Sequence, residues 1–148
     1  MGSTAYGDLT SGAVGTIVIS HASVASDGAA AKVLEIGALV NRAPQNMRLV
    51  SAWWEPTGAD SSAASAVSYR TLNIVNGGAD GTGTTVIASV NLTASQASNT
   101  QKALTLATTP SLSTGEVIFA SYTGSVGGAH ATHTVLRAGN FRAAWRPV

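Results

Sequence analysis

The sequence predicts an all-β fold: an antiparallel β-sandwich, jelly-roll-like, carrying an extended N-terminal arm. Three observations lead there. Between residues 69 and 122 short stretches rich in Val, Ile and Thr, such as YRTLNIV, TTVIASVNL and EVIFASY, alternate apolar and polar side chains, as half-buried strands do. They are separated at intervals of roughly 8–12 residues by Gly, Asn, Asp and Pro, the residues that close tight turns. The last stretch is the cleanest: Phe141, Ala143 and Trp145 alternate with Asn140, Arg142, Ala144 and Arg146.

The elements follow in order. Residues 1–13 are mostly Gly, Ser, Thr and Ala, with little to bury, and read as an arm that spans about 40 Å when stretched. This segment lacks the basic and apolar regions of a signal peptide, and no stretch nears the ~18 apolar residues of a membrane span. Residues 14–148 form one sandwich domain. Its expected strands are 14–21, 32–41, 47–55, 67–76, 84–92, 102–107, 116–122, 132–137 and 140–146. Alternation sets their faces: Val86, Ala88, Val90 and Leu92 share one side, and Trp53 shares the core side with Met47 and Leu49. Trp54 is thereby expected outside, with Arg48, Val50 and Ala52. An immunoglobulin-type sandwich is the competing layout, but its Cys…Trp…Cys spacing is missing.

Composition narrows the function. Of 148 residues only 10% are charged and the net charge is +1, against about 25% charged in an average domain. A balance so close to neutral argues against a general nucleic-acid binder, and a small, weakly charged surface suits a protein packed against others. The absence of cysteine removes disulfides and thiolate chemistry. The Asn76–Gly83 loop looks like a phosphate cradle but lacks the Lys of a P-loop, and a strand follows it where a dinucleotide site needs a helix. His130 and His133 stand three apart, a spacing that joins ligands on a helix but separates them on a strand. The seven acids fall mainly in turns, Glu35 mid-strand has no partner that spacing identifies, and no G-x-S-x-G elbow occurs. No catalytic residue, metal site or cofactor is expected.

Charge placement points elsewhere. After Glu116 there is no acid, while Arg137, Arg142 and Arg146 accumulate toward the C-terminus. Arg and Trp are the residues enriched at interface hot spots, and Arg forks onto carboxylates. The expected interface is therefore Trp54, Arg48, Arg137, Arg142 and Arg146, with Tyr6 from the arm.

The stretch YRTLNIVNGGADGTGTTVIAS, followed by ALTLATTPSLSTGEVIFASYTGSVGG, resembles small structural proteins of tailed bacteriophages, the capsid decoration (cement) proteins. The likeness covers about residues 67–128, in the GADGTGTT connection and in Thr114-Gly115-Glu116-Val117-Ile118. Six arginines against two lysines suit a virus of a GC-rich host. The resemblance implies a jelly-roll-like protein made in the host cytoplasm and added to the outer capsid surface. Its partner would be the major capsid protein, with no nucleic acid, membrane or enzymatic activity involved. Threefold positions on a capsid lattice make a homotrimer the expected assembly. A tail or head-fibre component contacting the host, by carbohydrate binding through exposed aromatics, is the alternative. A free-standing carbohydrate-binding module fits the sandwich but not the missing secretion signal.

Overall fold

Alternation becomes pairing in two antiparallel sheets. The computed structural model describes residues 15–22, 32–35, 41–43, 45–58, 70–94, 96–124 and 138–148, and among these every regular element is a strand. They are β1 (Gly15–His21), β2 (Lys32–Glu35), β3 (Asn41–Arg42), β4 (Met47–Pro56), β5 (Arg70–Asn76) and β6 (Thr85–Leu92). After these come β7 (Lys102–Ala103), β8 (Thr105–Leu106), β9 (Ser111–Leu112), β10 (Val117–Gly124) and β11 (Gly139–Pro147). The expected arm 1–13 and strand 132–137 lie outside the described residues, as do Tyr6, His130, His133 and Arg137.

The first sheet runs β1-β11-β4-β7 with β9 also on β4, and the second β2-β10-β5-β6-β8 with β3 on β10. Taking β2 with β3 as one strand position, and β7 with β8 and β9 as one interrupted strand, leaves eight in chain order among the described residues. The first sheet is then first–eighth–third–sixth and the second second–seventh–fourth–fifth. This is jelly-roll order, two Greek keys rolled across two sheets.

The sixth strand departs from the expected continuous 102–107. Lys102–Ala103 pair with β4, Thr105–Leu106 cross to β6, and Ser111–Leu112 return to β4. Leu104 N donates to Ala52 O and Leu49 N to Pro110 O, each at 2.8 Å. Leu104 and Leu112 are buried on either side of the excursion, so one interrupted strand stitches the sheets together along that side.

Between the sheets, Ile17, Ile19, Leu49, Trp54, Phe141 and Trp145 meet Leu72, Ile74, Ile87, Leu92, Ile118 and Tyr122 in one core. Two bulges overturn sequence expectations here, because each inserts a residue and reverses which neighbours face inward. On β4, Ser51 pairs with Ala144 but Leu49 pairs with Trp145, leaving Val50 extra. Met47 and Leu49 face the core as expected. Beyond the bulge the parity flips, so Ala52 and Trp54 are buried, Trp54 with no exposed surface, and half-buried Trp53 takes the outer face. Trp54 is a core residue, and its expected place at an interface is withdrawn. On β6, Ile74 pairs with Ala88 and Val75 with Val86, leaving Ile87 extra. Ala88, Val90 and Leu92 keep the expected inner face, whereas Val86 is exposed and Ile87 takes the core.

Candidate functional site

The two motifs that carry the phage resemblance are a single structural unit. Gly77 N donates to Val117 O at 2.8 Å and Val117 N to Gly78 O at 2.9 Å, zipping the glycine-rich loop to the start of β10. Glu116 is the keystone: one carboxylate oxygen, Oε2, accepts from Asn76 Nδ2 at 2.8 Å and from Ser113 N at 2.7 Å. Within the loop, Asn76 Oδ1 accepts from Gly78 N, and Gly83 N donates to Gly77 O at 2.7 Å. Gly83 lies so close that an added Cβ would stand 2.7 Å from the Gly77 carbonyl carbon, a backbone atom that cannot step aside. Asp80 at the loop tip accepts from Thr82 N, and that bond, with the Thr82 hydroxyl second, holds its carboxyl below the ordinary carboxylate value. The apparent phosphate cradle is a fastened turn.

The buried polar groups of the first sheet serve the core. Trp54 Nε1 donates to His21 Nε2 at 2.9 Å, and His21 Nδ1 lies 2.8 Å from Ala22 O. An indole N–H only donates and a carbonyl only accepts, so the imidazole is neutral with its proton on Nδ1. The rings of His21 and Trp54 stack at 6.3 Å, and Phe141 tilts against His21 at 5.6 Å. Gly139 is needed beside them, since a Cβ there would approach Trp54 Nε1 to 2.7 Å. Nothing in the sequence pattern marks this node, because register alone brings His21, Gly139 and Pro56 level.

Register also lays out the outer face of the first sheet, row by row across the strands. One row is Ser20, Asn140 and Glu55; the next is Val18, Arg142, Trp53 and Ala103; then Thr16, Ala144 and Ser51; then Arg146, Arg48 and Ser111. Ser20 Oγ donates to Asn140 Oδ1 at 2.7 Å, and Arg142 Nε stands 3.9 Å from Glu55 Oε2. Arg48 and Arg146 are exposed and directly opposite each other. Side chains so paired have Cβ atoms about 4.5–5.5 Å apart, where like charges repel. Trp53 Nε1 and Arg142 Nε are covered yet have no hydrogen-bond partner among the described residues. The structure thus brings Arg48, Arg142 and Arg146 to one face, with Trp53 in the place expected for Trp54. Sequence reasoning misses Trp53 and Glu55 because the Val50 bulge has no signal in the alternation. Counting back from buried Pro56 and Trp54 is what reveals it.

No family model matches the chain, and no curated protein matches it. Among solved structures it is similar to capsid proteins of infectious bursal disease virus. For the VP2 subviral particle the identity is 11% and the TM-score 0.45, over 90% of this chain and 33% of the other. For particles of T=1 symmetry derived from the virus the values are 12%, 0.44, 88% and 31%. For the Gx strain they are 11%, 0.40, 90% and 32%. The chain spans about a third of the length of these proteins. Values this low carry no functional argument.

Proposed function

We propose that this chain is a non-enzymatic virion protein that binds the outside of an assembled tailed-phage head and reinforces it. The observation that carries the reading is that the two motifs in which the sequence resembles decoration proteins form one hydrogen-bonded unit on a jelly roll. Gly77 and Gly78 meet Val117 through the backbone, and Glu116 ties Asn76 to Ser113. The likeness is thus one coherent piece of architecture, where chance composition would scatter. Low charge supports the same reading, since a surface covered by a partner does not need charge to stay in solution.

The mechanism is linkage. A protein that binds the assembled shell and not its free subunits shifts the equilibrium against disassembly. Repetition over a lattice multiplies the effect. The partner in this reading is the major capsid protein, and a trimer at threefold positions matches the lattice symmetry. The test is a copy count by quantitative mass spectrometry of purified particles. Decoration predicts on the order of hundreds of copies, as a repeated lattice site requires. A few tens would favour a fibre, and absence from particles would end the virion reading.

A further inference from the structure

We infer that the outer face of the first sheet is the docking surface, and that it takes an extended, carboxylate-bearing segment of a protein partner. The inference rests on the virion reading for the partner's identity, but the surface is argued from its own chemistry.

The relevant arrangement is two charged ridges with a low floor between them. One ridge is the Arg48–Arg146 pair, and the other the Arg142–Trp53 pair four residues along β11. Four residues of strand separate the ridges by roughly 13 Å. The row between them is Thr16, Ala144 and Ser51, all small, with Ala144 almost covered and the bulged Val50 exposed at its Arg48 end. A trough of this width accepts a single extended chain.

Charge selects what that chain carries. Among the described residues three arginines face one acid, Glu55, on this surface. Arg48 and Arg146 are held side by side by the β4–β11 register, an arrangement that costs stability when nothing lies between them. A carboxylate between two guanidinium groups converts that repulsion into two charge-assisted hydrogen bonds. The other ridge already displays the preference: Arg142 turns toward the Glu55 carboxylate but stops at 3.9 Å, beyond hydrogen-bond reach. Among the described residues its Nε and the Trp53 indole N–H have no acceptor; both are covered, so a carboxylate reaches them only when the side chain turns outward, a movement that forfeits no existing hydrogen bond. A single-stranded polyphosphate is the competing polyanion, and a net charge of only +1 favours the protein segment over it.

The experiment uses the full chain and two probes, poly-L-glutamate and a thymidine oligonucleotide of equal charge, titrated by tryptophan fluorescence at low salt. Two variants carry the same change of charge. Arg48→Glu lies on the face, whereas Lys102→Glu changes a half-buried residue on β7 level with buried Trp54, next to the Trp53–Ala103 row but on the opposite side of the sheet. Poly-L-glutamate should bind the wild type more tightly than the oligonucleotide, and Arg48→Glu should weaken it by roughly tenfold or more. Lys102→Glu should leave it unchanged. Equal loss in both variants, tighter binding of the oligonucleotide, or no binding of poly-L-glutamate would overturn the inference. Arg146→Gln, which adds no acid, must show the same direction if Arg48→Glu disturbs folding. The two readings fail separately. Abundant copies on particles with full occupancy by Arg48→Glu would retire this face alone, whereas particles lacking the protein would retire the virion reading alone.

Discussion

The two sheets of this sandwich turn different backs to the outside. On the second sheet five outward side chains of β5 and β10 are covered: Asn73 and Ser121 are buried and hydrogen-bonded, and Val75, Val117 and Phe119 form a small apolar cluster of their own. The glycine-rich loop reaches this cluster, with Gly77 against the Phe119 ring and Gly81 near Val117. On the first sheet the corresponding back holds exposed Arg48, Val50, Ser51 and Arg146 around a half-buried Trp53. The covered part of the second sheet's back belongs to the protein's own packing, although β6 beside it exposes Val86 and Asn91, whereas the first sheet's back is chemically unfinished. In the proposed reading the covered face is structural and the unfinished one presents.

The largest effects should test that division directly. Trp54→Ala and Phe119→Ala should each cost about 3–5 kcal/mol, the range for deleting a buried aromatic. Phe119 is included because it points away from the main core yet should behave as core. Trp53→Ala, adjacent in sequence to Trp54, should cost no more than about 1 kcal/mol, an ordinary substitution. Urea midpoints at constant m-value would measure all three. Comparable losses at Trp53 and Trp54 would contradict the bulge at Val50.

A smaller effect has an unusual sign. Arg48→Glu replaces a like-charge pair with an opposite-charge pair facing Arg146, and should raise stability by about 0.2–1 kcal/mol. A thermal melt that falls would mean that the two guanidinium groups do not feel each other.

The smallest effect lies on the loop that reaches the covered face. Asp80 is held below its ordinary carboxyl value of 3.8 by Thr82. The unfolded chain therefore takes up this proton first as pH falls. The stabilisation is complete above the ordinary value and is lost progressively below it. The stability difference between wild type and Asp80→Leu should accordingly shrink as the pH is lowered through that range. A difference independent of pH would show that the Thr82 bond does not favour the charged form.

Much of this division is legible in the order of residues alone. Alternation yields strands β1, β4, β5, β6, β10 and β11 to within a few residues, and places Arg142 and Arg146 on the outer side of β11. It cannot yield what depends on pairing. Period-two reasoning carries a face assignment along a strand until an extra residue intrudes, and Val50 and Ile87 are ordinary strand residues with no mark of a bulge. The intrusion at Val50 exchanges the roles of Trp53 and Trp54. The Arg48–Arg146 pair and the His21–Trp54 bond join residues far apart in the chain, so only register shows them. Glu116 reads as one more turn acid until Asn76 and Ser113 are seen to converge on it.

The claim that the first sheet's outer face does the binding is tested most directly by particle occupancy. Particles without the protein would be incubated with full-length Arg48→Glu or, as the control, with Ser89→Glu on the second sheet, and bound copies counted against wild type. The account predicts that Arg48→Glu is largely lost from particles while its fold is at least as stable, and that Ser89→Glu binds as wild type does. Full occupancy by Arg48→Glu, or selective loss of Ser89→Glu, would contradict it.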